Sequence, residues 1–297
     1  MHVKTRLILQ KPSSNQRSDS QVRRISTELR ALVRFLDLAY LPQTAQDIRE
    51  LQMHTEEEKA PPSSLVTVLE SVIQTFLAEF PRGNNLFGEP DESHRTEILQ
   101  KTVSLVNKAV DSEKFQEYLQ SAHGLLLAVG EAHGNTREFY RCASSFTLSK
   151  KYFFLNFCIM YLIMVEGVLA SLSQFLLGLH QLPSMEKWDD LGGDEFVAFG
   201  KLEATLRDAG LGVFLGGYNR HLRNAIAHGH FVYDESSERM LFKDLNPRTG
   251  APSWEQILSL EDLVWLYVKL DDVYWVVSVY LQLYLLPGLF SGESSGE

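Results

Sequence analysis

Cysteine is scarce in this sequence: Cys142 and Cys158 are the two in a chain of 297 residues. They make no CxxC pair and leave no disulfide framework, so packing and hydrogen bonds have to hold the fold. Both read as small buried apolar residues in a reducing compartment. The N-terminus also lacks a secretory apolar core followed by a small-residue cleavage site, and the expected location is the cytoplasm. Its basic, Ser-rich character superficially matches an organelle transit peptide, but a solvated basic arm leading into a helix is the plainer reading. Basic charge is short as well. The chain has 28 Lys and Arg against 38 Asp and Glu, a formal net charge of −10. That balance excludes nucleic-acid binding through the overall field. The basic charge that exists is concentrated: residues 1–34 hold eight basic and two acidic residues. Any nucleic acid would therefore be met by local patches.

Long uncharged apolar runs are missing. A spanning helix needs about 20 such residues. Residues 152–179 come near, but Asn156, Glu166, Ser171, Ser173 and Gln174 interrupt them. Residues 263–290 carry Lys269, Asp271 and Asp272. Ionisable groups are costly at that depth in lipid. Buried bundle helices, partly covered by a partner chain, are expected there, with no membrane association. No repeat recurs at a solenoid period, no strand-like alternation occurs in residues 1–145, and no low-complexity run exceeds the short tail 291–297.

What remains is helical patterning on a 44% hydrophobic chain, enough to bury a core. Val22, Ile25, Leu29, Leu32, Val33 and Leu36 follow helical spacing over residues 20–40. Helices are expected over 43–58, over 65–80 with Ser63 or Ser64 as cap, and around 95–110 and 113–129. A loop is expected at 81–93 and a break at 130–135. From residue 146 the pattern gives a long apolar helix over 148–179, a helix from the Asp194 cap to about 208, and one helix over 211–228. Gly229 stands where a left-handed C-terminal cap belongs. Two short strands, 231–233 and 240–242, form a hairpin, followed by a Pro/Gly loop over 246–254. Ser259 and Asp262 make a capping box for a final helix reaching 286, ended by Pro287-Gly288. The fold class is all-α. A helical domain of unassigned role (1–145) precedes an antiparallel helical bundle with a small β-hairpin insertion (146–290).

One run of residues suggests chemistry. Asn224 and His228 are four apart and share a helix face. Arg223 lies about 140° around the axis from His228, with a side chain long enough to reach the same mouth. Cleavage of RNA by its own ribose 2′-hydroxyl needs these types: an imidazole to move a proton near neutral pH, and a permanent cation for the phosphorane-like charge. No metal or cofactor is needed, and none is expected. One chain supplies one such His; two chains paired across this helix end would bring two His and two Arg together. An Arg and a His near a helix C-terminus are also favourable on dipole grounds alone.

The run Leu222-Arg223-Asn224-Ala225-Ile226-Ala227-His228-Gly229 resembles the signature of the HEPN superfamily, an Arg and a polar residue followed after a short spacer by His. The resemblance covers about residues 146–290: the apolar first helix with its lone Glu166, the motif at a helix end, the hairpin and the long closing helix. It implies a bundle that usually dimerises and often acts as a metal-independent endoribonuclease in toxin, phage-defence or CRISPR-linked systems, sometimes under an antitoxin or other regulatory partner. It implies that Arg223 and His228 are the catalytic pair and Asn224 the following polar residue, and it points to Glu166 as a supporting residue orienting Arg223 or the imidazole, or else bonded only to backbone or water. One toxin subgroup has a Tyr two residues after the His, which its antitoxin modifies. This chain departs from that, with His230 there and Tyr233 nearby. Some members have lost catalysis and serve as binding modules.

Other candidates are weaker. Arg23, Arg24 and Arg220 could contact RNA, or simply form solvated faces. Tyr218 and Tyr233 could stack on bases, although core packing is the commoner use. His221, His228 and His230 could suggest zinc, but no Cys or carboxylate is spaced along the chain to complete a site. Gly212, Gly216 and Gly217 follow no strand, which argues against a phosphate-cradling loop.

Overall fold

The computed structural model describes residue 30 and residues 42–56, 71–78, 91–145, 149–184 and 199–290. The expectations for Arg23, Arg24, most of the 20–40 helix, Ser63, Ser64, Asp194 and the tail lie outside these. Among the described residues the chain is mostly helical, with one small three-stranded antiparallel sheet. It divides into two compact units, Met1–Val103 with Trp275–Glu297, and Ser104–Tyr274. This division differs from the boundary expected at 145/146. The helix His123–Ser145 packs against the helices that follow it, so it belongs with the C-terminal elements.

In the first unit, α1 (Pro42–Glu56) buries Ala45, Ile48 and Leu51 at helical spacing. Residues 71–78 are helical and bury Val72, Ile73 and Phe76. The helix α2 (Glu92–Val110) opens with an Asp91 cap, whose carboxylate accepts from the His94 backbone N–H at 3.1 Å. Its residues Ile98, Leu99 and Val103 are buried.

In the second unit, α3 (Phe115–Ser121) leads into α4 (His123–Ser145). The break expected at residues 130–135 is absent. Gly130 and Gly134 lie on open helix surface, while Val129, His133 and Thr136 are buried and hold the winding by tertiary packing. Beyond them, α5 (Lys150–Ile163), a π-helical segment (Met164–Leu169) and α6 (Ala170–Gln181) run on as one helix, as the apolar pattern predicts. By length and composition this stretch is apolar enough to cross a membrane, yet it also packs on α4. Close approach is possible because Gly167 has no side chain: a Cβ there would come within 2.6 Å of the Ala132 methyl. Cys158 is buried on α5 as expected, whereas Cys142 is exposed on α4, contrary to the sequence expectation.

The single helix expected over residues 211–228 is two pieces. A 3-10 turn (Gly212–Leu215) follows α7 (Phe199–Asp208), and α8 (Arg220–Ala227) starts anew. Gly217 causes the break. Its φ is +78°, and a Cβ would lie 2.2 Å from the Leu266 carbonyl oxygen. Asn219 then caps α8, its side-chain oxygen accepting from the backbone N–H groups of His221 and Leu222 at 3.0 and 3.1 Å. This connection is pinned from below by the buried Tyr161, which donates to Gly217 O (3.2 Å) and accepts from Asn219 N–H (2.9 Å).

The expected hairpin is a three-stranded sheet in the order β1 (Phe231–Asp234), β2 (Arg239–Leu245), β3 (Pro252–Leu258). The third strand takes in the last three residues, 252–254, of what composition assigned to a loop. The alternation of two puts Met240, Phe242 and Leu258 inward, with Phe154 of α5 against Phe242. The same alternation carries Asp244 to that face at the strand's end, opposite Trp254. Ser259 and Asp262 form the expected capping box, with bonds of 2.8 and 3.2 Å. The helix that follows, α9 (Leu260–Phe290), continues through Pro287, four residues past its expected end.

Candidate functional site

The short helix α8 is strongly amphipathic. Leu222, Ala225 and Ile226 are buried, and the opposite side presents His221, Arg223, Asn224 and His228. Its C-terminus closes as a Schellman motif: Gly229 N–H donates to Ile226 O at 3.1 Å and His230 N–H to Ala225 O at 2.8 Å. Gly229 takes a φ of +68°, as its position in the sequence suggested. His228 is thus the C-cap residue, and His230 is fixed two residues later, where its carbonyl accepts from Lys243 N–H at 2.9 Å. The two imidazoles sit 5.8 Å apart between ring centroids.

A continuous polar chain crosses the exposed side of α8. Glu166, in the π-helical segment, accepts from Arg223 Nε. Arg223 Nη1 donates to Asn224 Oδ1 at 2.9 Å, and Asn224 Nδ2 donates to Asp244 Oδ2 at 3.2 Å. The same Asp244 oxygen bonds His221 Nδ1 at 2.8 Å. Trp254, across the sheet from Asp244, stacks on the His221 ring at 5.5 Å and 17°. Glu166 and Arg223 each keep about a third of their side-chain surface exposed. The hydrogen bond that Arg223 donates to Glu166 holds its guanidinium even more firmly in the charged form.

Beside this chain opens a cleft of about 690 Å³. Its walls include Arg220, His221, Asn224, His228 and His230 from the helix and its cap, and Asp244, Asn246 and Ser253 from the sheet. Of the residues singled out from sequence, the structure gathers Asn224, His228, His230 and Arg220 here. Arg223 stands outside this wall, with its guanidinium turned to Glu166, and reaches the cleft residues through Asn224. The expectation that it swings to the His228 mouth is corrected on this point: the Glu166 carboxylate holds it on the flank. Tyr233 is also elsewhere, edge-on to Phe154 at 6.2 Å. Tyr218 packs edge-on to Phe199 at 4.8 Å, and burial raises its phenol pKa.

Sequence reasoning missed His221 and Asp244 as site residues. A signal for His221 was present: residues 221, 224 and 228 stand at i, i+3 and i+7, one face of a helix. The helix expected over 211–228 already held all three on one face, but His221 was weighed only as a zinc ligand. Asp244 carried no such signal, because it arrives from a strand 20 residues away. Among the described residues, no group of three or more His, Cys, Asp or Glu is gathered tightly enough to hold a metal ion. No protein-family model, curated protein or solved structure matches this chain.

Proposed function

We propose that the chain is a metal-independent endoribonuclease of HEPN type. It cuts single-stranded or loop RNA as a cytoplasmic homodimer, in toxin or phage-defence biology, with a regulatory partner to restrain it. The observation that carries this reading is the end of α8. There His228 is exposed and borders an open cleft, while an Arg held by a carboxylate lies on the adjoining helix flank. The ribose 2′-oxygen attacks the neighbouring phosphorus, the bond to the 5′-oxygen breaks, and the chain separates into 2′,3′-cyclic phosphate and 5′-hydroxyl ends. His228 moves a proton in this step. Arg223 supplies fixed positive charge for the phosphorane-like state, and Asn224 ties it to the cleft. Arg220, exposed on the cleft rim, adds local charge for the RNA backbone on an otherwise acidic chain.

A second reading is a non-catalytic module of the same kind that binds nucleotides or protein. The Arg223–Glu166 pair favours it, because a guanidinium already satisfied by a carboxylate has less left for phosphate. Incubating the purified chain with a broad RNA panel in EDTA, alone and after candidate activating treatments, separates the two. The nuclease reading expects 2′,3′-cyclic phosphate ends from wild type, and loss of about a hundredfold or more in rate for His228→Ala. Identical behaviour of the two proteins across the panel rejects it.

A further inference from the structure

We infer that His221, held by Asp244, is the second proton-transfer group of this cleft, so that one chain carries a complete acid–base pair with His228. This rests on the nuclease reading and changes its composition, since the second imidazole then need not come from a partner chain.

Four observations carry it. His221 and His228 line the same cleft from one helix face. The His221 Nδ1 is engaged by Asp244 Oδ2 at 2.8 Å. A carboxylate can only accept, so it fixes the proton on Nδ1 and leaves the Nε2 lone pair as the base. The carboxylate is itself held by Asn224 at 3.2 Å, and the ring by the Trp254 face. Finally, the His221 side chain is 46% exposed. A pair so open adds little to folding, so stability alone gives small reason for two neighbours to fix one ring and a third to hold the carboxylate.

The span fits the chemistry. Hydrogen bonds of about 2.8 Å at both ends of an in-line O–P–O axis call for imidazole nitrogens roughly 9 Å apart. Seven helical residues rise about 10.5 Å along the axis, a separation of the same order. Nε2 of His221 takes the 2′-hydroxyl proton as O2′ bonds to phosphorus. The P–O5′ bond breaks, and protonated His228 gives its proton to the departing O5′. His221 ends protonated and His228 neutral, and exchange with water resets both. The substrate class is therefore RNA with a free 2′-hydroxyl.

The test uses the full chain in EDTA under single-turnover conditions, with two substrates: an RNA, and the same RNA with sulfur at the bridging 5′ position of one linkage. Sulfur leaves without a proton. His221→Ala is expected to cut both substrates about a hundredfold or more slowly, with partial rescue by added imidazole. His228→Ala is expected to fail on the oxygen linkage and recover on sulfur. Dimers mixed from His221→Ala and His228→Ala chains should regain nothing, because neither chain holds both groups. Asp244→Asn, which spares the ring, should lose rate and shift the limb of the pH profile that reports the base. His221→Ala within about threefold of wild type overturns the proposal, as does an unchanged Asp244→Asn or recovery in the mixed dimers. A wild-type chain that cuts nothing rejects the nuclease reading itself, and its control reaction distinguishes that failure from the others.

Discussion

Gly217 sets the position of α8, and replacing it with Ala tests how. Two penalties apply. At a φ of +78° a side chain enters the left-handed region, worth roughly 1–2 kcal/mol. The added methyl also meets backbone: it would lie 2.2 Å from Leu266 O, 2.9 Å from Lys269 Cβ and 3.1 Å from Leu270 N. It would therefore press between the carbonyl and the amide that a helix joins at i and i+4, and overpacking of this sort costs roughly 1–3 kcal/mol. A total near 3 kcal/mol lowers the melting temperature by about 6–12 °C for a unit of this size. Gly210→Ala is the internal control. Its φ is +67° with nothing within 4 Å of the added Cβ, so it carries the conformational penalty alone, about 2–8 °C. Far-UV circular dichroism melts of the two variants beside wild type give the difference directly. If Gly217→Ala melts no lower than Gly210→Ala, the close approach does not constrain the loop and the account of the α8 start is wrong. The same variant should also cut RNA more slowly well below its melting point, because the Tyr161 bonds to Gly217 and Asn219 tie this loop to the cap of the helix that carries His221 and His228.

Glu166→Gln removes the charge that holds Arg223. Both side chains are about one-third exposed, so the stability loss should stay below about 1 kcal/mol. The cleavage kcat should fall roughly tenfold, equivalent to about 1.4 kcal/mol of barrier, with KM little changed; an unaltered kcat would remove Glu166 from the site. The two thiols should differ sharply. Burial pushes Cys158 up to about 12, so it stays a protonated, unreactive thiol at every pH below that, while Cys142 is exposed. A maleimide at pH 8 should label one thiol in the folded chain and two after denaturation, and equal labelling of both in the folded chain would contradict the packing of α5.

Features governed by short-range chemistry were legible in the sequence. The Ser259–Asp262 box, the Gly229 cap and the first two strands are local devices whose geometry is set within a few residues. Features decided by distant contacts were not. Gly130 and Gly134 look like a break, yet the buried neighbours Val129, His133 and Thr136 keep α4 helical. Leu211 to His228 reads as one helix although Gly216-Gly217 is a local breaker, and the approach of the Leu266 carbonyl shows why the chain must turn at Gly217. Pro252 reads as loop, but at the first position of a strand it gives up no ladder bond that the sheet requires. The site divides in the same way. His228, Asn224 and Arg223 are neighbours in sequence and on one short helix. Asp244 and Trp254 come from paired strands, and the side to which Arg223 turns was settled by a carboxylate 57 residues earlier.

The winding of Met164–Leu169 bears on how such a chain can change over generations. A π turn holds one residue more than an α turn, so the buried positions before and after it are out of phase by about 100°. Losing a single residue there would restore even winding and bring the two halves into phase. It would also turn one half about 100° against the other, and Glu166, moving with whichever half it joins, would keep its place beside Arg223 only if that half stayed put. The extra residue therefore links backbone length to charge placement. Related chains that lack it would be expected to hold this arginine by some other group, or to leave it free.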